Sequence, residues 1–576
     1  MSKLEGKPVS LSRSSSLWSV VLAMAAALLL VGFAPAAVRA DVSTYGNASD
    51  NTPAPCPIGT VACPSSDPFY AAPANLGSLA NGTLVGVRPA TISEPGLSPK
   101  AASTISYRSS DSFGAPVLDT ATVLLPSAAY SGPGARPLVS YQFPIDSLGA
   151  QCAPSYAIAH PNTNGNVDGG SNEISSLLSQ GYVVVAPDFD GPAQQFIAGQ
   201  QEGHAVLDGI RAAKTLPGAG LSHATPAAME GYSGGGHGTS WAAELAGSYA
   251  PDLHIVGAAE GGTPADILVN AKYANGTAFF GLVLLASEGL TRAFPGAGFA
   301  GDLNAMGTAT FKSLSPQCVG TAVSSYPFGN LDQYTKQPDL VDSPSLQALF
   351  AHEKLGQAAP SFPLFRYHVY NDELVPFTPD LALSAFYCSK STPVQFVPLA
   401  GDHISGDPEG FPLVLSFLQG RFSGATFADN CSTVASLSGL PQVPPVALSG
   451  SGQSGSSTPG TGSSSTGSSS SAAANTASKT AAARARSLRL IRRCVGAGKL
   501  RVSVTGRGVR VRSVAWSLGL HVAARAKRAP FRRIVARGPL ARTRSSRLRA
   551  VVMLVGGRKI VLVRSLPRCG IPARKH

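Results

Sequence analysis

The stretch Gly231-Tyr232-Ser233-Gly234-Gly235 restricts this chain more than any other. A strand-like run, Ala227–Tyr232, leads into it, and Thr239–Ala246, rich in helix formers, follows it. Glycines two positions either side of a serine let a strand turn abruptly into a helix and push the hydroxyl out of the end of the sheet. The pentapeptide alone recurs by chance in a chain with 62 glycines. The strand before it and the helix after it are what mark Ser233 as a nucleophile rather than a plain strand-helix turn.

Such a turn requires a sheet to rise from. Arg136–Phe143, Gly181–Pro187, Ala227–Tyr232 and His254–Ala259 are short, nearly continuous apolar runs, separated by helix-like segments such as Gly203–Arg211. Strands of that kind are buried on both faces, which predicts an α/β body: a mostly parallel sheet with helices on both sides. From about Thr263 to Gly356 the rhythm breaks, with an apolar stretch at Thr277–Ala286 and several short helical segments. An inserted cap is our reading, although an ordinary core helix fits that stretch equally well. Between Pro445 and Thr480 the composition collapses to Ser, Gly, Thr and Ala, as in a flexible tether. Beyond it, Lys499–Thr505, Val509–Trp516, Arg547–Val555 and Lys559–Arg564 alternate with period two and Arg outward. They predict a small antiparallel all-β sandwich, with a two-residue hairpin turn at Gly556-Gly557.

The formal net charge of +13 is the sum of two opposite bodies. Residues 41–444 hold 14 Lys and Arg against 31 Asp and Glu, whereas residues 481–576 hold 26 Lys and Arg and no acid. The N-terminus has Lys3, Lys7 and Arg13, then the apolar run Leu17–Phe33, then Val38-Arg39-Ala40. This is the pattern of a secretory signal cut after Ala40. An uncleaved membrane anchor competes, but Pro35 and the Ala-rich flank favour cleavage and so no transmembrane segment after processing. The expected organisation is a signal peptide (1–40), a catalytic body (41–444, cap at about 265–356), a linker (445–480) and an Arg-rich β domain (481–576). A chain that is 44% hydrophobic and 13% charged is not disordered as a whole.

Eight cysteines suit an exported, oxidised protein: Cys56, Cys63, Cys152, Cys318, Cys388, Cys431, Cys494 and Cys569. None lies in a zinc-like spacing, so neither a metal nor another cofactor is expected. Spacing pairs Cys56 with Cys63, and Cys494 with Cys569 beyond the linker. It leaves the middle four open.

A serine nucleophile needs a base and an acid. In folds built on this elbow the acid follows the serine in the chain and the histidine comes last. His403, in Gly401-Asp402-His403 after the strand-like Val394–Leu399, is the one histidine between the last expected strands and the linker. For the acid, Asp372 sits just past a strand-like run, with Glu373 as its nearest competitor. Asp380 opens a helical segment and reads as an N-terminal charge. His237 and His368 read as packing residues.

Taken together, Gly181–Asp188, Glu202–Arg211, Gly231–Gly236, Asn371–Pro376 and Gly401–His403 resemble the secretory lipases, α/β-hydrolases with an inserted lid; the resemblance spans most of residues 41–432. It implies the α/β-hydrolase fold, a lid near 265–356, and Ser233, Asp372 and His403 as nucleophile, acid and base. It also implies an oxyanion site formed by the Gly234 N–H and Asp146, and disulfides joining Cys152 to Cys318 and Cys388 to Cys431. The expected activity is hydrolysis of carboxylic esters, triacylglycerol or other lipid esters, by a secreted or envelope-associated enzyme. An acyltransferase or a non-lipid esterase would use the same residues. A third reading is an exported binding protein whose residues 481–576 hold an acidic cell-envelope polymer; export makes nucleic acid an unlikely partner.

Overall fold

In the computed structural model, nine strands join into one sheet, and the residues described are 42–46, 51–160, 167–440, 489–494, 500–505, 511–518, 521–526, 531–535, 547–554 and 559–565. The expected signal peptide (1–40) and linker (445–480) lie outside the described residues. The chain divides into two units, Met1–Ser451 and Gly452–His576.

In the first unit, β1 (Leu84–Pro89), β2 (Ala101–Ser110) and β3 (Pro116–Leu125) form an antiparallel meander. The next six strands run parallel to one another: β4 (Leu138–Gln142), β5 (Val183–Pro187), β6 (Ala227–Tyr232), β7 (Ile255–Gly261), β8 (Leu364–Val369) and β9 (Val394–Leu399). Their order is β1-β2-β3-β5-β4-β6-β7-β8-β9, and β5 joins the meander by antiparallel pairing with β3. Every residue of β4, β5, β6 and β8 is buried, as strands covered on both faces must be.

Helices of eight residues or more are numbered here. α1 (Val167–Ser179), α2 (Gly199–Thr215), α3 (Gly234–Tyr249), α8 (Phe377–Ser389) and α9 (His403–Phe422) belong to the sheet layers. Side-chain alternation along β8 sorts them. Tyr367 points to the face where Gly410 of α9 fits against its ring. Arg366 and His368 point the other way and reach Asp380 of α8.

Between β7 and β8 the chain leaves the sheet for about a hundred residues, forming α4 (Ile267–Ala274), α5 (Phe280–Ala293), α6 (Ala305–Leu314), a seven-residue helix (Val319–Ser325) and α7 (Pro344–His352). These helices bury their own apolar cluster, including Phe280, Leu284, Phe311 and Leu349, separate from the cluster under the sheet. Thr277–Ala286 is therefore part of a cap and not a core helix. Cys152–Cys318 ties this cap to the segment after β4, Cys388–Cys431 ties the end of α8 to the segment after α9, and Cys56–Cys63 closes a short N-terminal loop. The expected Cys494–Cys569 pairing falls outside the described residues. No helix among the described residues is long and apolar enough to cross a membrane.

The second unit holds two antiparallel sheets. One comprises β10 (Arg489–Cys494), β11 (Leu500–Thr505) and β14 (Arg532–Val535); the other comprises β12 (Val511–Leu518), β13 (His521–Ala526), β15 (Arg547–Leu554) and β16 (Lys559–Ser565). Alternate residues turn inward: Val502 and Val504 in one sheet, Val514, Trp516, Ala550 and Val552 in the other, all buried. Met553 pairs with Lys559 across β15 and β16. The expected turn at Gly556-Gly557 lies outside the described residues.

Candidate active site

β6 ends at Tyr232 and α3 begins at Gly234, so Ser233 is the corner between them, with φ 58° and ψ −122°. That conformation is strained for a residue with a Cβ, and close packing of the turn holds it there. A Cβ on Gly231 would lie 2.3 Å from the Gly235 carbonyl oxygen, and one on Gly235 would lie 2.0 Å from that of Gln142. Only glycine permits both approaches. The Ser233 N–H donates to the Gly261 carbonyl at 2.8 Å, pinning the corner to β7.

The structure brings Ser233, His403 and Asp372 into one hydrogen-bonded line. Ser233 Oγ lies 2.8 Å from His403 Nε2, and His403 Nδ1 lies 2.6 Å from Asp372 Oδ2. His403 is the first residue of α9, whose N-terminus is fixed by a reciprocal cap: Asp402 accepts from the Ser405 N–H at 3.1 Å, and Ser405 Oγ accepts from the Asp402 N–H at 2.9 Å. The Tyr232 hydroxyl donates to the His403 carbonyl at 2.7 Å. Asp372 Oδ1 accepts the N–H groups of Leu374 and Val375, each at 2.8 Å, which aims Oδ2 at the imidazole. Glu373 does not compete for the ring; its carboxylate accepts the backbone N–H of His403 at 3.2 Å.

Burial alone would raise the Asp372 carboxyl, but the adjoining imidazoles of His403 and His368 hold it well below the usual carboxylate range. Burial opposes the charged form of His403 as well. There Asp372 prevails, and the imidazole is raised above its ordinary value. A base of this kind is matched to taking a proton near neutral pH.

Asp146 follows β4 in a left-handed conformation, φ 47°, and its carboxyl lies against the elbow. A Cβ on Gly234 would come within 1.9 Å of Asp146 Oδ1. That oxygen is buried and has no hydrogen-bond partner. Burial pushes the Asp146 carboxyl up to about 6 against the opposing pull of the His403 and His237 imidazoles. Gly234 opens α3, where backbone N–H groups of the first turn lack intrahelical acceptors.

An apolar cavity of about 550 Å³ adjoins this corner, lined by Ser233, Gly234, Asp146, Ile197, Ile267 and Val283 among others. A second, of about 480 Å³, lies within the cap and shares Ile267, Ala271, Val283 and Ala286 with the first. The two spaces adjoin along α4 and α5. Among the described residues no group of three or more His, Cys, Asp or Glu side chains is placed to hold a metal ion.

Two residues read as bystanders have other work. Asp380 does sit in the first turn of α8, but it pairs there with Arg366 and His368, all three completely buried. His368 lies beside the site, with Nε2 3.4 Å from Asp372 Oδ2. Sequence spacing gives no sign of either partnership except that 368 and 372 flank the same strand end. His237, by contrast, is a structural residue: Nδ1 meets Glu202 at 2.7 Å, and Nε2 accepts from Trp241 at 3.2 Å.

The secretory lipase family model matches residues 166–430, a span that holds Ser233, Asp372 and His403. Lipase A of Moesziomyces aphidis is 34% identical over 64% of this chain and 82% of its own length. A probable inactive lipase of Mycobacterium tuberculosis (strain CDC 1551 / Oshkosh) is 32% identical over 64% of this chain and 84% of its own. Among solved structures, Candida antarctica lipase A in its closed state superposes with a TM-score of 0.61 at 32% identity, covering 65% of this chain and 89% of that one.

Proposed function

Because this chain belongs to the secretory lipase family, as a secreted ester hydrolase of the α/β-hydrolase fold, we propose that Ser233, His403 and Asp372 are its catalytic triad and that its substrates are lipid esters, triacylglycerol among them. One observation carries the assignment: the continuous line from Ser233 Oγ through both ring nitrogens of His403 to Asp372, with links of 2.8 and 2.6 Å. A relative named as a probable inactive lipase makes this geometry, and not membership, the argument for activity.

In this reading His403 takes the Ser233 proton as the serine oxygen attacks the ester carbonyl, and returns it to the departing alcohol. Asp372 fixes the ring with Nδ1 as donor and stabilises the imidazolium that forms. The oxyanion receives the Gly234 N–H and a proton held by Asp146. A carboxyl already pushed up to about 6 keeps its proton more readily once a negative oxygen lies beside it. Water, activated by His403, then releases the acid. The apolar cavity beside Ser233, adjoining the second one inside the cap, is suited to an acyl chain. The test is a kcat/KM series on esters from acetate to long-chain acyl groups. The reading expects values that rise with chain length; a maximum at acetate would favour a non-lipid esterase, and acyl transfer to an added alcohol in preference to water would favour an acyltransferase.

The charge split supports a second reading, for the C-terminal unit. Arg489 and Arg501 are exposed, while their strand neighbours Leu490 and Val502 are buried, so alternation turns the cations outward. Residues 481–576, with 26 Lys and Arg and no acid, suit an anionic polymer of the cell envelope.

A further inference from the structure

A chain of buried ionisable groups runs from the sheet to the site: Glu260 on β7, Arg366 on β8, Asp380 on α8, His368 on β8, then Asp372 and His403. The first four are completely buried, and Asp372 and His403 nearly so. Buried charges persist only when paired, and here each carboxylate from Glu260 to Asp372 meets Arg366 or His368. The protonation of His368 can be read from its partners. Nδ1 lies 2.7 Å from Asp380 Oδ2, and Nε2 lies 3.2 Å from the Val375 carbonyl oxygen and 3.4 Å from Asp372 Oδ2. A carbonyl oxygen only accepts. Asp380 also accepts from Arg366, and Asp372 Oδ1 accepts two backbone N–H groups, so both carboxyls are held as acceptors. A neutral ring has one N–H and would leave a bare nitrogen facing an acceptor. His403 differs, because its Nε2 faces a hydroxyl that can donate.

We propose that His368 is a permanently protonated positioning residue of the hydrolase site, an imidazolium that shares Asp372 Oδ2 with His403 and limits how basic that carboxylate makes the catalytic ring. This rests on the triad reading above. The cation acts in two ways: it holds Asp372 as an anion in one orientation, and its charge opposes protonation of His403. The other titratable groups near His403 are Glu373, on its backbone N–H, Asp402 beside it at the helix cap, Tyr232, tilted against its ring, and Asp146 and Asp407. Those facing His368 are Asp372 and Asp380, with Arg366 behind the latter and the edge of Phe377 packed at its ring. Without His368 the acids around His403 are less balanced, and His403 keeps its proton to higher pH.

Two measurements test this. In wild-type full-length protein, ¹⁵N-histidine NMR at about pH 8.5 is expected to show a doubly protonated ring among the ten histidines, one that does not titrate with activity. All ten neutral at that pH would overturn the proposal. In His368→Gln, the acid limb of kcat/KM against pH is expected to move upward by about one unit. A purely structural role would lower turnover and leave the limb in place, which would also overturn it. Covalent labelling of Ser233 by a phosphonate in the variant's active pH range separates this failure from failure of the triad itself. Should the variant not fold, the wild-type spectrum decides alone.

Discussion

At Gly234 the absence of one carbon sets the distance between the elbow and the Asp146 carboxyl. Gly234→Ala places a Cβ 1.9 Å from Asp146 Oδ1. The position is helical, so alanine suits the backbone, and the clash falls on the free end of a side chain that can swing away. The expected result is a loss of roughly 10²-fold in kcat, the scale of removing one oxyanion donor, with an unchanged or slightly higher melting temperature. A variant of wild-type turnover would take Asp146 out of the mechanism. Residues differ in how far sequence exposes them. Ser233 is legible because its glycines serve a turn made by five consecutive residues. His403 and Asp372 follow from chain order once that turn is granted. His368 is not legible as more than a packing residue: its charge depends on a carboxylate twelve positions on, a carbonyl seven positions on, and an arginine that orders the carboxylate.

Among the elements, β4, β5, β6 and β7 announced themselves by short, nearly continuous apolar runs. β2 and β3 did not, because they bury Ser109, Asp119, Thr120 and Thr122, whose polar side chains mask the pattern. The cap shows the limit of periodicity most clearly. Thr277–Ala286 has one sequence signature whether it packs under a sheet or over a site; its separate apolar cluster distinguishes them. That cluster also bears on substrate choice. Ala286 lines both cavities, so Ala286→Phe fills the space where they adjoin. Activity on long-chain esters should fall by about tenfold or more while activity on acetate and butyrate esters is retained. Equal loss on every ester would mean that the inner cavity holds no part of the acyl chain.

For the whole molecule, the division of charge was plain in the sequence, and so were β11, β12, β15 and β16 of the basic unit, whereas β10, β13 and β14 match none of the alternating runs read there. If the basic unit holds the enzyme to anionic polymer, the full chain should bind cell-envelope material at low salt and release it steeply as salt rises. Binding that is absent, or indifferent to salt, would refute attachment.

Ester hydrolysis by this chain turns on one oxygen atom, Ser233 Oγ. Incubation of the purified full-length chain with an alkyl phosphonate ester, followed by peptide mass spectrometry, should place a single adduct on the peptide containing Ser233, formed in step with the loss of nitrophenyl-ester hydrolysis. Ser233→Ala should be folded, unlabelled and inactive. Near wild-type ester turnover by Ser233→Ala would contradict a nucleophilic role for Ser233.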